Sequence, residues 1–240
     1  MQYLAEIRSR KVHPASGLER ITLTIQGDYQ FAVGQYLSVL HPNGTAIPLS
    51  IASTPRTLPL LELHYQPTPE DVLSQAMDEC LAQPVVTISA AQGTVRCPAP
   101  DRSLTIIAGG SGASIAFSCA QHRTAGSATT VLWCVDQAEQ LYAEDELAPL
   151  CDLHTVVDAR RGPDNQSFSV LRTLAPTDDY VLAGSPGFVY AMTDVLSELG
   201  VADDRLQSDV YAYAPRETPL PNTGSSGCGR SGNPPTDCSR

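Results

Sequence analysis

Two stretches of this chain join a strand-like apolar run to a glycine-rich turn, an arrangement that lets a backbone close around phosphate. The first is Leu104-Thr105-Ile106-Ile107-Ala108-Gly109-Gly110-Ser111-Gly112-Ala113-Ser114-Ile115-Ala116. Glycine lacks the Cβ that would hold a ligand away, and the N–H groups at a helix start meet negative charge. The second is Tyr180-Val181-Leu182-Ala183-Gly184-Ser185-Pro186-Gly187. It precedes a run in which Val189, Met192, Leu196 and Leu199 share one helical face and Gly200 supplies the stop. Either turn alone serves as well for a tight strand-to-helix connection. Ser-Pro-Gly, however, reads as more than a plain helix start. Two such turns at the carboxyl ends of parallel strands, where open α/β sheets bind ligands, predict one nucleotide held at both ends. The expected contacts are Gly109, Gly110, Ser111, Gly112, Ala113 and Ser114 in the first turn, and Gly184, Ser185, Pro186 and Gly187 in the second.

The elements that must position these turns follow from the apolar pattern. From Tyr3 to about Ala91 short alternating runs, such as Ile21, Leu23 and Ile25 or Leu61, Leu63 and Tyr65, are separated by turn formers. Five or six antiparallel strands fit there, and a small closed barrel hides their edges. A helix is expected over Pro69 to Leu81, with Val72, Leu73, Ala76, Met77 and Cys80 at helical spacing. After Pro98-Ala99-Pro100 the rhythm changes to buried strands, Leu104 to Ala108, Thr130 to Val135, His154 to Val157 and Tyr180 to Ala183, alternating with helices, which describes a parallel sheet. Asp209 to Tyr213 reads as a last strand. The fold class is thus a β-barrel plus α/β, with a barrel domain over 1–98 and a nucleotide-binding domain over 101–214. The polar, Gly- and Ser-rich segment 215–240 is expected to be a disordered tail.

Composition narrows the chemistry. The chain has 240 residues, 42% hydrophobic and 17% charged, with a formal net charge of −11. No Lys/Arg cluster offsets that charge, so nucleic acid is not an expected partner. No apolar run is long enough to span a bilayer, and Met1 to Arg10 lacks a signal-peptide core, so a cytoplasmic address is expected. The seven Cys include no C-x-x-C pair, which predicts neither a metal site nor a disulfide framework. Cys119, Cys134 and Cys151 read as core thiols, whereas Cys228 and Cys238 fall in the tail. After Trp133-Cys134-Val135 the next charged residues are Asp136 and Glu139. Carboxylates accept hydrogen bonds from a ribose diol and repel a 2′-phosphate, which favours a nucleotide without the 2′-phosphate. Arg160 and Arg161, read as a solvated turn, would reverse that preference if they folded over the site. Glu144, Asp145 and Glu146 read as a solvated acidic face, and His64 and His154 as packed strand histidines.

The barrel region carries a third element, Gly34-Gln35-Tyr36-Leu37-Ser38-Val39 followed by Ile47-Pro48-Leu49-Ser50-Ile51-Ala52-Ser53. Gly-Gln-Tyr, Pro-x-Ser-x-Ala-Ser, Leu-Glu-Leu-His at Leu61 to His64, and Ala-Gly-Gly-x-Gly occur in that order. In this combination the chain from about Tyr3 to Tyr213 resembles the ferredoxin-NADP reductase superfamily, and most closely its branch of NAD(P)H-flavin oxidoreductases.

The resemblance implies a flavin reductase that moves hydride from NADH or NADPH to a loosely held flavin, whether FMN, FAD or riboflavin. It places Tyr36, Ile47, Pro48, Leu49, Ser50, Ile51, His64 and Tyr65 against the flavin. Ser50 would lie near the flavin N5 as the catalytic residue, its hydroxyl favouring the reduced ring. Relatives carry Arg where this chain has Ile47; losing that charge-assisted contact, worth about 1.5–3 kcal/mol, suits a transient flavin substrate better than a permanent one. Tyr211 or Tyr213 would stand where relatives place a C-terminal aromatic, although both also read as ordinary strand aromatics. Two alternatives stay open: a reductase subunit that passes electrons to an oxygenase or iron acceptor, and a degenerate member without catalysis. No C-x4-C-x2-C set is present to hold an iron-sulfur cluster.

Overall fold

Inside-outside alternation, clearest in its second strand, builds the first sheet. In the computed structural model, which describes residues 1–68, 70–123, 127–157, 166–174 and 176–216, six antiparallel strands come first. They are β1 (Gln2–Val12), β2 (Glu19–Ile25), β3 (Tyr36–Leu40), β4 (Ala46–Ser50), β5 (Leu60–Tyr65) and β6 (Val85–Ser89), ordered β4-β3-β6-β1-β2-β5. Every second residue of β2, Ile21, Leu23 and Ile25 among them, is buried. The sheet curls until its two outer strands meet at one bridge, Ile51 to Leu63, which leaves little edge exposed. Helix α1 (Val72–Leu81) packs on the barrel core through Ala76, Met77, Cys80 and Leu81. It begins later than the sequence pattern suggests because Asp71 caps it, accepting from the Ser74 N–H at 3.0 Å. Val72 and Leu73 therefore stay exposed in its first turn, and Pro69 lies outside the described residues.

The second sheet is parallel: β7 (Leu104–Gly109), β8 (Thr129–Val135), β9 (Asp152–Val157), β10 (Asp179–Ala183) and β11 (Leu206–Gln207), ordered β11-β10-β7-β8-β9. Its inner strands are apolar on both faces because both faces are covered. Helix α2 (Ala113–His122) and the barrel cover the face of Leu104, Ile106, Val131 and Trp133. The short helix α3 (Glu144–Leu147) joins that layer through Leu147. On the other face α4 (Gln166–Thr173), α5 (Pro186–Glu198) and α6 (Val210–Tyr213) cover Ile107, Leu132 and Leu182. Cys119 and Cys134 are buried and Cys151 half-buried, its thiol pushed up to about 11 by burial.

Several expectations are corrected. Asp209 to Tyr213 is not a strand: the N–H groups of Ala212 and Tyr213 both donate to the Asp209 carbonyl, and the edge strand is β11. Two tyrosines two apart suit a strand, but so short a run fits either period. Leu199 is 46% exposed, so the buried face of α5 is Val189, Met192, Val195 and Leu196, and Gly200 (φ +81°) ends the helix. Glu146 is exposed and at the same time pairs with Arg20 of β2 at 2.6 Å. His154 is only half-buried beside Asp152 on the outer strand β9. Arg216, expected in a loose tail, holds Asp194 at 2.8 Å and lies 4.6 Å from the Tyr190 ring centre. Arg160, Arg161, Cys228 and Cys238 lie outside the described residues.

Candidate functional site

A cavity of about 320 Å³ opens where the barrel wall meets the tip of β10, within the size range of small-molecule sites. Tyr36, Pro48, Leu49 and Ser50 line it from the barrel, Ile115 from α2, and Leu182, Ala183 and Gly184 from the β10 tip. Ser208, Asp209, Val210 and Tyr213 complete it from the last described turn. Of these residues Asp209 alone carries a full charge. Its carboxylate accepts the Thr94 N–H at 2.8 Å, and Gly93 (φ +94°) is so close that a Cβ there would lie 2.5 Å from Asp209 Oδ2. The 93–95 loop of the barrel thus fixes the C-terminal wall.

Strand alternation sorts the residues expected at the flavin. Pro48 and Ser50 face the cavity, whereas Ile47 and Ile51 point into the barrel core at 3% and 0% exposure. An arginine at position 47 would start inside that core, so Ile47 fits its surroundings as a packing residue. Tyr65 is buried in the same core. His64 stands away from the cavity at the junction of the two sheets, 2% exposed. Its Nε2–H donates to Glu62 at 2.8 Å, and its Nδ1 accepts from the Tyr142 hydroxyl at 2.8 Å. Arg20 donates to the same Glu62 at 2.7 Å and pairs with Glu146. Burial holds the His64 imidazole below its usual range and therefore neutral, which fixes this tautomer. Burial works against the Glu62 charge, but the bonds from His64 and Arg20 prevail and draw the carboxyl down to about 2. The His64 ring stands edge-on to Phe117 and Tyr142, and Trp133 packs against both of those rings. This polar and aromatic seam sets one sheet against the other, and so sets the shape of the cavity. Sequence gives little sign of it, because its partners lie up to 126 positions apart.

The two glycine turns sit side by side, in register at Ala108 and Ala183. Much of their glycine content serves that contact. A Cβ on Gly112 would lie 2.7 Å from the Ala183 carbonyl, and one on Gly109 or Gly184 would lie 2.9 Å from the Phe188 ring. Gly110 (φ +54°) and Gly187 face open space, so only there does the backbone leave room for a ligand to approach. Ala113 and Ser114 are buried, and the Ser114 hydroxyl donates to the Ser111 carbonyl at 2.6 Å. Trp133 Nε1–H holds the Gly110 carbonyl at 3.0 Å. Ser185 is the N-cap of α5, accepting from the Phe188 N–H, and Pro186 occupies the first turn. Asp136 follows β8, its N–H donating to Gln140 at 2.8 Å. Of the expected nucleotide contacts only Gly184 lines the cavity itself; the others lie around the strand tips. Ser208, Asp209 and Val210 were not foreseen as site residues, because that stretch reads as the approach to a strand.

Comparison with known proteins agrees with this architecture. The sequence is 30% identical over 130 residues to a probable flavin reductase of Photobacterium leiognathi, a match covering 51% of this chain and 55% of that protein. The chain thus spans about half the length of this curated relative. No family model matches. Among solved structures, an Amycolatopsis cytochrome P450 reductase superposes with a TM-score of 0.73 at 20% identity, covering 87% of this chain and 69% of that one. A ferredoxin-NADP+ reductase from Plasmodium falciparum superposes with a TM-score of 0.70 at 15% identity, covering 86% of this chain and 95% of that one. The chain shares its fold with these reductases, and its sequence likeness is to a probable flavin reductase. Among the described residues no helix is long and apolar enough to cross a membrane.

Proposed function

We propose that this chain is an NAD(P)H-dependent flavin reductase, using its barrel (1–98) for flavin and its parallel-sheet domain (101–214) for the nicotinamide cofactor. The observation that carries the reading is the cavity itself, which sets Ser50 and Pro48 of the barrel wall against Gly184 at the tip of β10. A flat ring on the barrel side and a nicotinamide entering from the strand tips would meet there, and between them they supply the hydride chemistry. The protein's part is to orient the rings, exclude water through Ile115, Leu182 and Val210, and present the Ser50 hydroxyl to the flavin N5. Gly110 and Gly187 are the backbone positions that would accept the cofactor phosphates, and Asp136 the group that would meet the adenosine ribose and favour NADH.

The lining supports a loosely held flavin, for a reason other than the missing arginine. Among the described residues no cation lines the cavity and Asp209 contributes an anion, so a flavin phosphate gains no partner from them. The test is steady-state NADH oxidation with riboflavin, FMN and FAD in turn, comparing wild type with Ser50→Ala. Activity with added flavin that falls in Ser50→Ala supports the proposal; a protein inert with every flavin overturns it. The superposition on a cytochrome P450 reductase favours one second reading, a subunit serving an oxygenase or iron acceptor. Such a protein would purify yellow, with its flavin retained.

A further inference from the structure

The segment that leaves the barrel for the second sheet carries a thiol beside a second thiol and a buried cation. The Cys97 N–H is tied to the Val33 carbonyl of the barrel at 3.1 Å. Its Sγ lies 4.0 Å from the Cys119 carbonyl in the last turns of α2. Cys119 is wholly buried, whereas Cys97 is partly open to solvent. Arg123, one turn beyond Cys119, is 6% exposed. Its guanidinium donates to the carbonyls of Pro98 and Ala99 at 3.1 Å, to those of Arg102 and Ala128, and to Thr129 Oγ1 at 2.7 Å. All five partners are neutral. Among the described residues no carboxylate pairs with it.

We propose that Cys97 and Cys119 form a redox-responsive pair, Cys97 as the reactive thiolate and Cys119 as the resolving thiol, which a hydroperoxide converts to a disulfide. The neighbouring Cys119 thiol and the charge of Arg123 hold the Cys97 thiol below its ordinary value against the effect of burial. The neighbouring Cys97 and complete burial push Cys119 up, which suits one attacking and one waiting sulfur. In the first step the Cys97 thiolate attacks hydrogen peroxide. An S–O bond forms, the O–O bond breaks, sulfur gives up two electrons, and hydroxide leaves and is protonated to water. In the second step the Cys119 sulfur attacks Cys97. The S–S bond forms, the S–O bond breaks, and the hydroxyl departs with the thiol proton as a second water. The product staples the inter-sheet segment to α2, the helix that begins at the first glycine turn. Nothing in this chemistry depends on the flavin reading.

The experiment uses the whole reduced protein, treated with hydrogen peroxide, quenched by alkylation and mapped by mass spectrometry. A Cys97–Cys119 linked peptide lighter by two hydrogens, restored by dithiothreitol, is the expected product. In Cys119→Ser, dimedone should label Cys97 as a sulfenic acid. At neutral pH Cys97 should alkylate about ten-fold faster than Cys80, whose thiol is pushed up by burial. Absence of the linked peptide from folded wild type overturns the proposal, as does prior oxidation of another cysteine or a Cys97 that Cys119→Ser leaves unlabelled.

Discussion

Gly112 and Gly187 separate the two duties of the glycine turns, packing against each other and leaving room for a ligand. In Gly112→Ala the new methyl would stand 2.7 Å from both the carbonyl carbon and oxygen of Ala183, and 2.9 Å from the Gly184 nitrogen. These are backbone atoms, which cannot rotate aside, so the strand tips must separate. Overpacking of this kind costs about 1–3 kcal/mol. At roughly 2–4 °C per kcal/mol for a chain of this size, Tm should fall by roughly 2–12 °C. Gly187→Ala meets nothing within 4 Å and sits in the first turn of α5, where reduced freedom of the unfolded chain adds about 0.4–1 kcal/mol. Its Tm should hold or rise. The two variants therefore move stability in opposite directions, read by calorimetry. NADH titration of Gly187→Ala should then show weakened binding despite the gain in stability. An unchanged Tm in Gly112→Ala would refute the turn-against-turn packing. Unchanged NADH affinity in Gly187→Ala would refute the role of the second turn as a phosphate cradle.

Three further outcomes follow from the same geometry. Ile47→Arg puts a charge into the barrel core and should lower Tm sharply without improving use of FMN, whereas Ile47→Val should cost only about 0.5–1.5 kcal/mol; a stable Ile47→Arg with better FMN turnover would contradict the placement. Acidification should destabilise the seam between the sheets. His64 and Glu62 both hold protons less readily folded than unfolded, so their contributions are full above 6.5 and 4.5 and fade as pH drops through and below those values. A Tm that falls from pH 7 to 4, with its upper part flattened in His64→Gln, is the expected profile; a Tm rising on acidification would contradict it. Tyr213→Ala, at a site 62% exposed yet lining the cavity, should leave Tm within about 0.5 kcal/mol of wild type while changing KM for flavin or NADH; unchanged kinetics would remove Tyr213 from the site.

Much of the fold is legible in the residues because local pattern and tertiary need coincide. The alternation of Ile21, Leu23 and Ile25 and the unbroken apolar run from Leu104 report strands buried on one face and on two. What pattern cannot report is which neighbour a residue meets. The glycines of the first turn look like a ligand cradle, yet Gly109 and Gly112 are small because another turn and Phe188 press on them. Ile47 looks like a lost cation until its place in β4 shows the side chain turned inward. The seam through Arg20, Glu62, His64, Tyr142 and Glu146 joins residues far apart in the chain, and no local spacing announces it. Asp209 enters the cavity wall because the 93–95 loop holds it, a contact between residues 115 positions apart.

We propose that hydride passes between two rings meeting at the Ser50 wall. The most direct test is anaerobic single-turnover mixing of the protein and riboflavin with NADH carrying deuterium at the transferred position. Flavin bleaching slowed by a primary isotope effect, and slowed further in Ser50→Ala without loss of NADH binding, is the predicted result. Bleaching no faster than in the absence of protein would contradict the account.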